Sequence, residues 1–206
     1  MKVPFSPPFI DRNVIDEVVD TLESGWITTG PKAKALEGAI ADLVGAPAVL
    51  TVNSWTSGAI LMLSWLGLRP GDEVVIPAYT YAATALAVMH AGGMPVMADA
   101  DDSFNVSPEA VRKAITPRTK AIIPVDIAGF PCDYGALRSI VSDPEVIKLF
   151  AATSAVQEKL GRILILGDAA HSLGAFYAPG KRIGTNADLS IFSLHAVKNI
   201  TTAEGG

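Results

Sequence analysis

The chain has 206 residues, half of them hydrophobic, with 18% charged and a formal net charge of −5. No Lys/Arg run supports a nucleic-acid partner, and no apolar run approaches the roughly 20 residues that a membrane helix needs, so no membrane insertion is expected. The single cysteine, Cys132, excludes an internal disulfide and fits a reducing, cytoplasmic setting, and the opening MKVPFSPPFIDRN lacks the apolar core of a secretory signal.

Along the chain, Val14, Ile15, Val18, Val19 and Leu22 recur at helical spacing as far as Gly25. Pro31 opens a second helix through Leu36, Ile40 and Leu43, closed by Gly45. Residues 48–52 form a short apolar run, expected as a strand, and Asn53-Ser54 offers a cap for a helix ending near Gly67. Arg69-Pro70-Gly71-Asp72 is a turn before a strand at 73–77. A helix over 80–91 and a strand over 95–99 follow. Ser107-Pro108-Glu109 starts a helix with cap, proline and N-terminal acid in order. A strand over 120–125, helices over 134–142 and 144–160, and strands over 162–166 and 189–192 complete the pattern. Short apolar strands separated by helices imply a parallel-rich sheet covered on both faces, a three-layer α/β/α sandwich.

In such a sheet, ligands sit at the carboxyl ends of the strands. Four stretches therefore matter: Asn53 to Gly58, Tyr79-Thr80-Tyr81, Asp168 to His171, and Ser193 to Lys198. Asp168, at the mouth of an apolar run, is either a helix cap or ion-pair member, or a carboxylate holding a proton on a ligand nitrogen. Lys198 is either an ordinary exposed lysine or an amine that forms a Schiff base with a carbonyl. Thr56 and Ser57 stand at a helix start, where plain capping competes with phosphate binding. Tyr79 or Tyr81 could be core, or could stack flat on an aromatic ring. Three scattered histidines and one cysteine give no metal-binding spacing, so no metal is expected.

Taken together, GWITTGPK (25–32), the Thr56-Ser57 turn, PGDEVVIP (70–77), TPRTKAIIPV (116–125), GDAAHSLGA (167–175) and FSLHAVKNITTAEGG (192–206) resemble, in this order, one family. It is the DegT/DnrJ/EryC1/StrS family of sugar aminotransferases, pyridoxal-phosphate enzymes of fold type I. GWITTGPK and the Lys198 segment look most like the branch acting at C4 of nucleotide-linked 4-keto sugars, including the UDP-4-amino-4-deoxy-arabinose synthases of polysaccharide and lipopolysaccharide biosynthesis.

The resemblance implies a mostly parallel, seven-stranded-type sheet and pyridoxal 5′-phosphate as cofactor. It implies L-glutamate as amino donor, released as 2-oxoglutarate, and a homodimer. Lys198 matches the Schiff-base lysine, and Asp168 the acid that pairs with the pyridine nitrogen. His171 stands near the cofactor's 3-oxygen, and Tyr81 where an aromatic ring stacks on the pyridine. Thr56, Ser57 and Ser193 match phosphate-binding positions, and Thr28 and Thr29 the loop lining the sugar site. Residues 1–206 then read as an N-terminal segment plus the large cofactor domain, truncated after the lysine loop, with the family's small C-terminal domain missing. Two alternatives stand beside the enzyme reading: a catalytically incompetent cofactor-domain fragment, and a non-catalytic binding or structural member. Residues 139–161 are longer than the usual connector and read as a surface elaboration. Trp55 is expected to pack beneath the phosphate turn.

Overall fold

The computed structural model describes residues 6–206. Its strands are β1 (Glu73–Pro77), β2 (Met94–Ala98), β3 (Thr119–Ile122), β4 (Leu164–Asp168), β5 (Phe176–Ala178), β6 (Lys181–Arg182) and β7 (Leu189–Ile191). Five of them form one parallel sheet in the order β2-β1-β3-β4-β7. β5 and β6 form a separate antiparallel hairpin. All five sheet strands therefore end at the same edge, where the candidate site lies.

The helices are α1 (Arg12–Glu23), α2 (Pro31–Val44), α3 (Trp55–Leu66), α4 (Ala82–His90), α5 (Pro108–Ala114), α6 (Tyr134–Val141), α7 (Pro144–Leu149) and α8 (Ala155–Leu160). Strand side chains alternate between the sheet faces. Val75, Ile122 and Ile165 pack with Val111, Leu137 and Val141 of α5 and α6. Val74, Ile76, Ala121, Leu164 and Leu166 pack with Leu63, Leu66 and Val88 of α3 and α4. Each fully buried Leu or Ile contributes about 1.5–3 kcal/mol of transfer free energy. The result is the expected three-layer sandwich. A third cluster, Ile40, Val44, Leu173 and Leu194, seats α2 against the loops that follow β4 and β7.

The expected seven-stranded-type sheet is corrected to five strands among the described residues. The run at 48–52 forms no strand: only Val52 is paired, exchanging both backbone hydrogen bonds with Gly206 at 2.9 Å. The expected helix over 144–160 is two helices, because Phe150 turns extended and Ser154 caps a fresh start. The ladder of β3 stops at Ile122, since Pro124 has no N–H to give; Val125 returns as a single bridge to Asp168. The β5–β6 hairpin was not anticipated, although Pro179-Gly180 marks its turn, with Gly180 at φ 70°.

Residues 139–161 are more than a surface elaboration. Gln157 is fully buried and donates from Nε2 to the Leu66 carbonyl at 3.1 Å. The Ser154 hydroxyl donates to the same carbonyl at 2.6 Å. Both satisfy the carbonyl end of α3, which lacks intrahelical partners. The apolar stripe of α1, by contrast, is exposed: none of its residues is buried in the described chain.

Candidate active site

Asp168 is the last residue of β4 and is 5% exposed. Its Oδ1 accepts the Ala170 N–H at 3.1 Å, and its Oδ2 accepts the Thr84 hydroxyl at 3.4 Å. Among the described residues it has no cation within ion-pair distance. Burial pushes its carboxyl up to about 7; the Asp126 charge adds to this, while the two hydrogen bonds and the Lys198 charge oppose it. Gly167 beneath it leaves room for Tyr134: an added Cβ would sit 3.1 Å from the Tyr134 hydroxyl.

Lys198 lies in the turn after β7, its N–H donating to the His195 carbonyl at 2.9 Å. It is half-buried, and burial lowers its pKa against the pull of Asp168. Its Nζ makes no hydrogen bond among the described residues. His171 Nδ1 accepts the Ala128 N–H at 3.3 Å. Partial burial lowers its pKa, and the Lys198 charge lowers it further. Asp168, Lys198 and His171 are thus brought together closely enough for the lysine's charge to act on both partners.

Beside them is the start of α3. Ser54 is its cap: the hydroxyl oxygen accepts the Ser57 N–H at 3.1 Å, and the hydroxyl donates to Ser57 Oγ at 3.0 Å. Plain capping therefore occurs, and Ser54 performs it. Thr56 makes no side-chain hydrogen bond among the described residues. β7 runs against this helix, since a Cβ on Gly58 would meet Ile191 Cγ2 at 3.3 Å, so Ser193 emerges on the same side. Trp55 is buried in the adjoining core, as expected of packing beneath the turn.

Neither tyrosine is core. Tyr79 tilts against Phe104 with ring centroids 5.9 Å apart, whereas Tyr81, at the cap of α4, is 82% exposed. Thr84, one turn further on, ties this helix to Asp168. Thr28 and Thr29 sit in the exposed turn before α2, where the Trp26 indole donates to the Thr29 carbonyl at 3.0 Å. No described hydrogen bond links them to the Asp168 group. A concavity of about 740 Å³ is lined by Phe130, Cys132, Tyr134, Arg138 and Asn186 and includes none of these residues.

Sequence reasoning missed two polar anchors. Thr84 carries no motif, and only its spacing of one turn from Thr80 (hydroxyls 2.9 Å apart) hints at a role. Asp126 is fully buried and accepts from the Cys132 N–H, the Tyr134 hydroxyl and the Ser172 hydroxyl. It directly follows the apolar run 121–125, so the same rule that selected Asp168 points to it.

The DegT/DnrJ/EryC1/StrS aminotransferase family pattern matches residues 8–206. The chain belongs to this family. A protein assigned as a sugar aminotransferase, Spr1654 of Streptococcus pneumoniae, solved in PLP, PMP and apo forms, is 46% identical in the PLP form, with a TM-score of 0.95 over 100% of this chain and 52% of that one. Helicobacter pylori PseC, an aminotransferase of pseudoaminic acid biosynthesis, is 30% identical, with a TM-score of 0.84 over 100% of this chain and 51% of its own. DesI, solved with its TDP-sugar product, is 32% identical, with a TM-score of 0.78 over 98% of this chain and 47% of its own. The DegT-family chain described here thus spans about half the length of these solved relatives. Its layered parallel sheet is the large domain of a fold type I aminotransferase.

Proposed function

We propose that this chain forms the cofactor-holding part of a pyridoxal 5′-phosphate-dependent aminotransferase. Its substrate is a nucleotide-linked 4-keto sugar, with L-glutamate as amino donor and 2-oxoglutarate as the product of that half-reaction. One observation carries the reading: a buried acid with no ion pair among the described residues, Asp168, lies within electrostatic reach of a lysine of lowered pKa, Lys198. The donor set fits the group. A basic ring nitrogen suits Asp168, an anionic ring oxygen suits His171, a carbonyl suits the Lys198 amine, and a phosphate suits the hydroxyl-rich start of α3.

When bound, pyridoxal phosphate supplies an electron sink for a carbanion. Asp168 holds a proton on the ring nitrogen, and Thr84 and the Ala170 N–H orient the carboxylate that does so. Lys198 would hold the cofactor's carbonyl through its Nζ amine, and the same amine would move the proton at the amine-bearing carbon, a role worth about 10²–10⁴ in rate for a positioned base. Thr56, Ser57 and Ser193 hold the phosphate. Tyr81 covers a ring face, which its exposure leaves free to do. Thr28 and Thr29 serve the sugar, and the working form is a homodimer. Residues 1–206 as the large domain, with the sugar site completed by a smaller one, belong to the same reading.

The second reading, cofactor binding without turnover, is favoured by the uncovered apolar stripe of α1. An absorbance titration with pyridoxal phosphate tests both. The expected result is a visible band that borohydride bleaches and that Lys198→Ala lacks. Amination of UDP- and TDP-linked 4-keto sugars with glutamate then separates enzyme from binder. A Lys198→Ala protein with the normal band and normal turnover would refute the assignment.

A further inference from the structure

The loop after β3 carries more order than a connector needs. Residues Ile127–Gly129 form a short 3-10 turn in which Ala128 stands at φ 53° and Gly129 at φ 81°. A non-glycine residue in the left-handed region costs about 1–2 kcal/mol and persists only where its surroundings impose it. Here they do. Asn105, 3% exposed, grips both ends of the turn: its Oδ1 accepts the Ile127 N–H at 3.1 Å, and its Nδ2 donates to the Phe130 carbonyl at 2.9 Å.

The turn is bound to the Asp168–Ser172 loop at four points, the first being the Asp126 N–H, which donates to the Asp168 carbonyl at 3.0 Å. The Asp126 carboxylate accepts the Ser172 hydroxyl at 2.8 Å. Gly129 packs so closely that an added Cβ would lie 2.9 Å from the His171 carbonyl oxygen. The Ala128 N–H donates to His171 Nδ1 at 3.3 Å. A ring nitrogen that accepts a hydrogen bond carries no proton, so in the neutral imidazole the proton is on the other nitrogen. That other nitrogen, Nε2, makes no hydrogen bond among the described residues.

We propose that the Asn105-clamped turn is a positioning device, and that the backbone N–H of Ala128 fixes His171 in its Nε2–H tautomer, presenting Nε2 as a hydrogen-bond donor to an anionic oxygen of the ligand. That the oxygen belongs to pyridoxal phosphate rests on the proposed function above; the tautomer does not. The groups acting on the ring fit a neutral donor: partial burial and the Lys198 cation both disfavour a second proton. Asp126 faces Ser172, Cys132 and Tyr134, and all three donate to its carboxylate. Asn105 and Ala128 act only through His171.

The test is a ¹⁵N-histidine spectrum of the full chain without cofactor. There are only three histidines, and His171→Gln identifies the resonance by its loss. At pH 8 the expected pattern is an unprotonated Nδ1 and a protonated Nε2. Replacing Ala128 by lactic acid, which puts an ester oxygen where the N–H was, changes one group and leaves the side chain alone. It should lower the ratio of Nε2–H to Nδ1–H forms by about fivefold, the equivalent of a hydrogen bond of about 1 kcal/mol. Asn105→Ala, which frees the turn, should move the ratio in the same direction. A proton on Nδ1 in the unaltered protein, or an unchanged ratio in the ester protein, overturns the proposal. Added pyridoxal phosphate should shift the Nε2 proton. If the tautomer is as stated but no absorbance band forms, the turn's role stands and the cofactor reading falls.

Discussion

Replacing Asp168 by Asn should make the unloaded protein more stable while depriving it of cofactor. The folded carboxyl titrates at about 7, because burial and then the Asp126 charge outweigh its two hydrogen bonds and Lys198, whereas an ordinary aspartate titrates at 3.8. A raised carboxyl binds its proton more tightly in the folded state, so it favours folding at low pH and loses that contribution as pH rises from about 4 to 7. Between pH 5 and 7 the folded group keeps its proton and the unfolded group does not. That interval of about 2 units, at about 1.4 kcal/mol each, is a loss of about 3 kcal/mol for the native protein. Asn does not titrate, and its amide oxygen can still accept the Ala170 N–H. Urea titrations followed by tryptophan fluorescence at pH 5 and pH 8 measure the difference, with m checked for constancy. Equal pH dependence in the two proteins would refute the reasoning. The same Asn protein should give no visible band with pyridoxal phosphate, the exchange of stability for function common at active sites.

Asp188 should show the opposite sign. Burial alone would raise its pKa, but hydrogen bonds from Arg162, the Ile165 N–H and Arg138 hold it at about 2. Asp188→Asn should cost about 2 kcal/mol at pH 7, with the deficit shrinking as pH falls from about 4 towards 2; urea midpoints across that range check it. Gln157→Ala should cost about 2–3 kcal/mol in thermal unfolding, since it strips a buried partner from the end of α3 and opens a cavity. Ser54→Ala removes the cap of α3 and should cost about 1 kcal/mol by the same assay.

Where one local cause acted alone, the sequence was readable. β1 falls at 73–77 as expected, because its apolar run is bounded by a turn and by Pro77. α5 begins where Ser107-Pro108-Glu109 says it must. The strand-end rule selects Asp168, Lys198 and Ser193 from the sequence, and Asp168 and Lys198 do come together. What stayed hidden depends on distant partners. Thr84 gains meaning only from Asp168, which is 84 residues away. Val52 is paired by Gly206, 154 residues further along the chain (206 − 52). Ala128 looks like any loop alanine until its φ of 53° and the His171 ring beside it are seen.

The anchoring of α3 bears on the order in which the molecule assembles. Its carbonyl end is held by Ser154 and Gln157 across separations of 88 and 91 residues. Its amino end is pressed by Gly206, where an added Cβ would lie 2.6 Å from the Trp55 nitrogen. The helix can form locally within microseconds, but it cannot reach its final seat until those long loops close. The hydroxyl-bearing start of α3 is therefore among the last parts to settle. During refolding, far-UV circular dichroism should therefore recover before the fixed geometry at the start of α3, which the fluorescence of Trp55 in its first turn reports.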